Sequence, residues 1–452
     1  MMLAKNVLRS AIVAAMLATT LTAGEVILST PAYAQDEDDG PREPPPTRRS
    51  DTLSERVYRV IAEIQEMLSP SEEGVEPDLP GAKEELDELN ERYDSLNDFE
   101  KSTLLNFYTN YYLAVEDIQS ALDTFERILQ IEDLRVDSRL RALQSSGQLY
   151  AAEERFEEAI GRLNAWRDLS DEESATVFQI LALAHYNLQE YDVAIPHLLS
   201  YMDLLRTEGR EIPKNIYSLL NVMYIEQENY DAALEVTKTM VALFDEASDW
   251  RNLAAIYGYL DDEARRIQSL ELAYHKGYLE NEGEFLNLAQ SLAGLDAPYR
   301  GLQIMQDGME QGIVENNGDN LRRLTQMYIM ASEFEAAVEP AEQLVEVVDD
   351  AEAWDYLGYI YLMNRDYESA ADAMQTALDR GGLENAGEVQ LSLARALVEL
   401  DRFDEALEAA QAAVRNDVNN ASQYVTFVET AKRRHEALQN QKEMAIDYYR
   451  PV

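Results

Sequence analysis

The chain contains no cysteine among its 452 residues. A disulfide framework, a thiolate metal site and a cysteine nucleophile are therefore excluded, and so is the lipidated cysteine of a lipoprotein signal. Glycine and proline are also scarce, at 19 and 13 residues, whereas alanine, leucine and glutamate are abundant. This balance favours helix over sheet.

Positive charge is the second shortage. The chain has 38 Lys and Arg against 86 Asp and Glu, a formal charge of −48. Without residues 1–34, which include Lys5, Arg9 and Glu25, the counts are 36 and 85, or −49. Such a charge repels nucleic-acid phosphates and anionic membrane surfaces, so basic proteins are the expected partners. Solubility or adaptation to a salty medium explains the charge equally well.

Residues 1–34 have the pattern of a secretory signal peptide. Lys5 and Arg9 form a basic start, the apolar stretch 11–23 is too short to span a bilayer, and residues 32–34 (AYA) match an A-x-A cleavage site. Cleavage near Ala23 is the alternative, because Ala34 lies far from the apolar stretch. No later segment reaches 18 apolar residues. We therefore predict a periplasmic protein, released by signal cleavage and carrying no lipid anchor.

The remainder of the chain divides into four parts. Residues 35–52 are acidic and then proline-rich, which is typical of a disordered linker. Residues 53–101 contain two helical patterns separated by prolines, and we interpret them as a degenerate helix pair. Residues 102–419 contain a pattern that recurs nine times, beginning near 102, 140, 175, 214, 247, 282, 318, 351 and 387. Residues 420–452 are predicted to form a capping helix and a tail.

The clearest copy of the pattern begins at Ala351. Its large and small residues fall at places 4, 7, 8, 11, 17, 20, 24 and 27 of a unit of 34: Trp354, Leu357, Gly358, Tyr361, Tyr367, Ala370, Met374 and Ala377. This W-x2-L-G-x2-Y pattern, followed by small residues, resembles the tetratricopeptide repeat (TPR). The resemblance implies an all-α solenoid, a right-handed superhelix of antiparallel helix pairs that binds other proteins.

Within that family, several packing motifs resemble periplasmic proteins that accompany TonB-type energy-transduction systems. They are Leu105-Asn106-Phe107-Tyr108, Ala194-Ile195-Pro196, residues 273–279 (AYHKGYL) and residues 286–290 (LNLAQ). The resemblance implies an accessory of TonB-, ExbB- and ExbD-like partners, in uptake of iron complexes or polymers.

Catalytic and cofactor patterns are absent. There is no phosphate-binding loop, no dinucleotide fingerprint, no nucleophile elbow and no zinc-binding H-E-x-x-H. His185 takes place 11 of its unit and is predicted to be a packed core residue, while His197, His275 and His435 are predicted at the surface. Pairs of acidic residues occur throughout the chain and indicate solvated helix faces. We therefore expect neither an enzyme nor a cofactor nor a metal site.

In tetratricopeptide-repeat proteins, ligands usually lie in a concave groove lined by the first helix of each unit, where places 5 and 9 point. Side-chain amides at these places can bond the backbone of an extended peptide. The candidate groove residues are Asn106, Asn110, Gln144, Gln148, Gln179, Arg251, Gln290, Arg322, Gln326, Tyr359 and Arg395. Merely solvated polar positions are the alternative.

Three functions remain open on the sequence. The leading interpretation is an adaptor of a TonB-type energy-transduction or uptake complex. A scaffold for outer-membrane or cell-wall assembly is the second, and an enzyme with an unrecognised site is the third.

Overall fold

The computed structural model describes residues 52–72 and 74–448. The predicted signal peptide, most of the predicted linker and the last four residues lie outside this part. The described residues form only helices and the turns between them, 21 α-helices and one short 3-10 helix at Tyr93–Ser95, with no strand. The prediction of an all-α fold is confirmed.

The described chain forms two compact units, one ending at Val236 and the other beginning at Thr237. The first unit contains α1 (Glu55–Leu68), α2 (Leu79–Asn90), α3 (Asp98–Ala114), α4 (Ile118–Leu129), α5 (Val136–Ala152), α6 (Phe156–Leu169), α7 (Ala175–Asn187), α8 (Tyr191–Thr207) and α9 (Lys214–Glu226). Helix α10 (Tyr230–Leu243) includes residues of both units.

The second unit continues with α11 (Ala247–Tyr259), α12 (Glu263–His275), α13 (Glu282–Gly294), α14 (Pro298–Glu310), α15 (Gly318–Met330), α16 (Val338–Val347), α17 (Ala351–Met363), α18 (Tyr367–Arg380), α19 (Ala386–Glu399), α20 (Phe403–Arg415) and α21 (Ala421–Tyr448).

Within each unit the helices form antiparallel pairs, because a short turn joins two helices that pack along one another. The pairs in the first unit are α3 with α4, α5 with α6 and α7 with α8; in the second unit they run from α11 with α12 to α19 with α20. The member that comes first in the chain is called the first helix of its pair below.

A left-handed residue ends the first helix of each of the nine predicted repeats, at the same place of the unit. These residues are Glu116, Glu154, Gln189, Glu228, Asp261, Asp296, Ser332, Arg365 and Asp401, and none is glycine. After Glu154, for example, Arg155 N–H donates to the carbonyl of Tyr150 at 2.9 Å, which closes the helix end. A side chain in this conformation costs about 1 kcal/mol, so the recurrence shows how strongly the tight turn is required.

Small residues allow the helices of a pair to approach closely. A Cβ built on Gly358 of α17 would lie 2.6 Å from Cγ of Met374 on α18. Met374 is fully buried, and Ala370 and Ala377 on either side of it are buried too. The packing therefore depends on a residue without a side chain at place 8.

Hydrogen bonds link one pair to the next. The hydroxyl of Tyr150 on α5 lies 3.1 Å from the carboxylate of Glu126 on α4, and Gln306 on α14 donates to the hydroxyl of Tyr328 on α15 at 2.7 Å. Both bonds join place 11 of one repeat to place 25 of the preceding repeat. Burial and the negative charge of Glu126 raise the pKa of Tyr150, so its hydroxyl stays protonated.

Candidate partner-binding surface

The first helices lie close to one another as well as to their own partners. In the first unit α1 contacts α3, and α5 contacts α7; in the second unit α17 contacts α19. Helices that contact across a whole repeat lie on the inner side of a curved stack. The first helices therefore line the inner surface of each unit.

Hydrogen bonds at its N-terminus define where helix α3, the first helix to carry predicted groove residues, begins. Helix α3 starts with a capping box: the side chain of Asn97 accepts from Glu100 N–H at 2.9 Å, and the carboxylate of Glu100 accepts from Asn97 N–H at 3.1 Å. Leu104, Leu105 and Tyr108 are buried on one side of α3. The opposite side, which carries Asn106 and Asn110, remains accessible.

Five predicted amides lie on first helices of the first unit, and we call them the amide row: Asn106, Asn110, Gln144, Gln148 and Gln179. Asn106 and Gln179 are exposed, and the other three are partly exposed. None of these five side chains forms a hydrogen bond with another residue in the described part of the chain. Their donors and acceptors are therefore available to a ligand.

The amide row is followed by exposed apolar side chains that the sequence analysis did not select. Leu183 on α7 and Val222 on α9 occupy place 9 of their repeats and are 37 % and 40 % exposed. The assignment of place 9 to the groove also predicts these two residues, but the candidate groove residues were limited to those with polar side chains. The first unit thus offers amides and apolar contacts on the same helix layer.

In the second unit the predicted groove residues have different surroundings. The guanidinium of Arg251 on α11 is 3.0 Å from the carboxylate of Glu284 and 3.4 Å from that of Glu280. These two ion pairs largely compensate the charge of Arg251, so Arg251 has little capacity to repel a lysine-rich ligand. Gln290 on α13 and Gln326 on α15 are exposed and form no side-chain hydrogen bond within the described residues.

Further along the second unit, place 9 holds a tyrosine instead of an amide. Tyr359 on α17 is 42 % exposed. The neighbouring Tyr356 has its pKa raised to about 12 by burial, although the positive charge of Arg322 opposes this shift. Arg395 on α19 is exposed and lies within electrostatic range of Tyr424.

Asp355 belongs to this surface and was missed. It occupies place 5 of the Trp354 repeat, and the side-chain amide of Asn385 donates to it at 3.2 Å. Burial raises the pKa of Asp355, which the hydrogen bond from Asn385 partly offsets. Its position in the repeat could have identified it, because the rule that places 5 and 9 face the groove also selects Tyr359, four residues later.

The histidines form no metal site. His185 is buried, as predicted, and its Nδ1 lies 2.7 Å from the carboxylate of Glu190. His197 was expected at the surface but is partly buried and stacks on His185, with ring centroids 5.6 Å apart. Burial, Arg167 and His185 together lower the pKa of His197 to about 4. Across residues 52–72 and 74–448, no group of His, Cys, Asp and Glu side chains is arranged to hold a metal ion.

None of the helices in the described part of the chain combines the length and the apolar character needed to cross a membrane.

Comparison with known proteins gives one family. Residues 329–385 match the family model described as Tetratricopeptide repeat. This segment contains the Trp354 repeat and parts of its neighbours. No curated protein matches the chain.

Three solved structures are similar to this chain at low sequence identity. The C-terminal part of a TPR repeat-containing protein from Cytophaga hutchinsonii is 15 % identical, covering 54 % of this chain and 97 % of that one, with a TM-score of 0.34. A tetratricopeptide repeat protein from Parabacteroides merdae is 14 % identical, covering 61 % and 99 %, with a TM-score of 0.34. The TPR2AB domain of yeast Sti1, solved as a complex with pHSP90, is 16 % identical, covering 66 % and 98 %, with a TM-score of 0.23.

The TM-scores of these structures are too low for any of their ligands to be transferred to this chain. The match over residues 329–385 and the recurring helix pairs nevertheless support a tetratricopeptide-repeat solenoid, a fold that suggests a protein–protein interaction scaffold.

Proposed function

We propose that the protein is a periplasmic interaction scaffold, an accessory of a TonB-type energy-transduction or uptake complex. The amide row binds an extended segment of a partner protein. The observation that carries this proposal is the set of five accessible amides on α3, α5 and α7 with no hydrogen bond to the described residues.

The chemistry of the amide row suits an extended backbone. Each side-chain amide offers two N–H donors and one carbonyl acceptor, which match the carbonyls and N–H groups of a peptide that is not itself helical or in a sheet. Leu183 and Val222 supply apolar contacts on the same layer. A ligand with apolar side chains and free backbone groups would satisfy both.

Charge favours a basic ligand. The chain carries −48 overall, which attracts lysine-containing segments and speeds their association. A proline-rich segment is already extended when free, so it loses less conformational entropy on binding. The resemblance to proteins that accompany TonB systems suggests the proline-rich, lysine-containing periplasmic linker of a TonB-like protein as this ligand.

The ligand is expected on the first unit. Arg322 and Arg395 lie on first helices of the second unit without an ion pair in the described residues, and they disfavour lysine there. Arg251 does not contribute to this effect, because Glu280 and Glu284 compensate it.

Export is tested separately from binding. Fractionation of cells that express the full chain, followed by N-terminal sequencing of the periplasmic form, should give a mature start after Ala34 or near Ala23. A chain retained in the cytoplasm with its first residues intact would contradict the periplasmic assignment.

Binding is tested by titrating the mature protein with the periplasmic region of the TonB-like protein from the same cell. Replacing Asn106, Asn110, Gln144 and Gln148 together by alanine should weaken binding about tenfold or more, since each lost hydrogen bond contributes about 0.5–1.5 kcal/mol. The matched control replaces Gln119 on the second helix α4 and Gln130, the residue that follows α4, and should bind normally.

Two results would contradict the assignment. Unchanged affinity of the folded four-residue variant would show that the ligand lies elsewhere. No binding at about millimolar concentration would exclude this partner.

A further inference from the structure

Helix α21 has the packing of a first helix on one side only. It contacts α20 and also α19, the first helix of the preceding pair. Tyr424, Val425 and Val428 join the hydrophobic core there. In the other pairs, the second helix of the pair packs against the side of the first helix that adjoins this core. No described residue covers the corresponding side of α21.

The uncovered side carries a regular stripe. Its residues follow one another at intervals of four and three: Phe427, Ala431, Arg434, Leu438, Gln441 and Ala445. This spacing keeps side chains on one line along a helix that packs against another helix. Phe427 is 53 % exposed and Leu438 is 50 % exposed. The two large apolar residues therefore face solvent on the line where a helix would pack.

The stripe extends past the end of α20. The ring of His435 lies 5.2 Å from that of Phe403, the first residue of α20, and Lys432 pairs with Asp404. Beyond His435, the residues to 446 are all exposed. At 1.5 Å per residue, roughly 15 Å of helix therefore has no neighbour among the described residues.

The glutamates of α21 lie on one side of the helix. Glu429, Glu436 and Glu443 are seven residues apart and so share one line. At 100° per residue, that line lies on the side of the helix turned away from Leu438. Two cations lie near Leu438 instead: Arg434, within the stripe and four residues before Leu438, and Lys442, beside the stripe and four residues after it. In a chain of charge −48, this stripe is bordered by cations.

We propose that the stripe, with Phe427 and Leu438 as its large apolar residues, docks an acidic amphipathic helix of a partner protein. The partner helix runs antiparallel to α21, in the position that a second helix occupies in the other pairs. Acidic side chains at its edges meet Arg434 and Lys442, and its apolar residues cover Phe427 and Leu438. This surface is distinct from the amide row, so the proposal does not depend on the proposed function.

A second copy of α21 fits the stripe poorly. An antiparallel pair centred on Leu438 would set Arg434 of each copy against Lys442 of the other. Like charges placed opposite one another disfavour the wrong partner. The cations therefore select an acidic helix over self-association.

The chain itself provides a probe with the required chemistry. Helix α18 packs antiparallel on α17 through Ala370, Met374 and Ala377, and residues 366–380 contain four acidic residues and one arginine. A fluorescent peptide of residues 366–380, held helical by a side-chain crosslink on its exposed face, serves as the acidic probe. A second peptide, with lysine in place of the four acidic residues, serves as the reversed probe.

Fluorescence anisotropy with the mature full-length protein measures binding of both peptides. We expect the acidic peptide to bind and the lysine peptide to bind about tenfold or more weakly. Phe427→Ser with Leu438→Ser should weaken the acidic peptide about tenfold or more. Leu272→Ser on α12, where the leucine is 49 % exposed, is the matched control and should change nothing. Arg434→Glu with Lys442→Glu should exchange the preference between the two peptides.

Three results would overturn the proposal. The first is the absence of binding by the acidic peptide at about 1 mM. The second is equal binding of both peptides by the unaltered protein and by the charge-reversed variant. The third is a dimer in sedimentation equilibrium that Leu438→Ser dissociates, which would show that a second copy occupies the stripe.

Discussion

Replacing Gly358 by alanine tests the packing of the helix pairs most simply. Alanine is favoured over glycine inside a helix by about 1 kcal/mol, so an exposed site would gain stability from this change. At Gly358 the new Cβ would lie 2.6 Å from Cγ and 3.2 Å from the backbone nitrogen of Met374. The side chain of Met374 is fully buried and cannot withdraw into solvent, and the backbone nitrogen is fixed within α18.

The two effects have opposite signs, and the steric one is larger. Overpacking a close contact costs about 1–3 kcal/mol, which exceeds the gain in helix propensity. We expect Gly358→Ala to destabilise the protein by about 1 kcal/mol, and Gly358→Leu by about 1–3 kcal/mol. The effect should stay within neighbouring repeats, because each repeat contacts only those beside it.

Gly161 provides the matched control. It lies within α6, is exposed, and has no atom within 4 Å of a built Cβ. Gly161→Ala should therefore stabilise the protein by about 0.5–1 kcal/mol. Urea denaturation followed by circular dichroism compares both variants with the unaltered protein. Equal stabilisation by the two alanines would refute the close approach of α17 and α18.

Three further predictions concern pH, salt and the turns. The pKa of His197 is lowered from 6.5 to about 4, so the unfolded chain binds the extra proton first, and stability falls as the pH drops from about 6.5 towards 4. For a half-buried ring we expect a loss of about 1–2 kcal/mol in urea denaturation; an identical acid response in His197→Phe would contradict this origin. The melting temperature should rise with sodium chloride, because salt screens repulsion within a chain of charge −48; a flat or falling curve in scanning calorimetry would contradict it. Glu154→Gly should raise the urea midpoint by an amount equivalent to about 0.5–1 kcal/mol, because Glu154 is held at φ +61°; a lower midpoint would show that the side chain supports the turn.

The helix pairs were predictable because their packing residues recur in the chain. Positions such as Trp354, Leu357 and Gly358 report the contacts between neighbouring helices, and these contacts depend on local spacing. The sequence alone could therefore locate first and second helices without knowing which residues meet across longer distances.

The surroundings of the candidate surface were less predictable. Arg251 pairs with Glu280 and Glu284, which belong to the following turn and helix, and no spacing rule links them. The burial of His197 follows from its stack on His185 of another helix. Such pairings depend on how two helices are set against each other, which the repeat pattern does not specify.

The turns that follow the first helices could not be predicted from residue type. Positions in the left-handed conformation usually favour glycine, but this chain has polar or charged residues there, as at Glu116, Asp261 and Arg365. Composition at these places gives no turn signal. Only the repeat frame identifies them, because they occupy the same place in each unit.

Photo-crosslinking in the cell tests the central claim that the first-helix surface binds a protein. A photoreactive phenylalanine analogue at Asn110 or Gln148 should give a discrete protein adduct, which mass spectrometry then identifies. The same analogue at Gln119 on α4, or at Gln130 directly after α4, should give none. Adducts of equal yield from both sets of positions, or none from Asn110 and Gln148, would contradict the account.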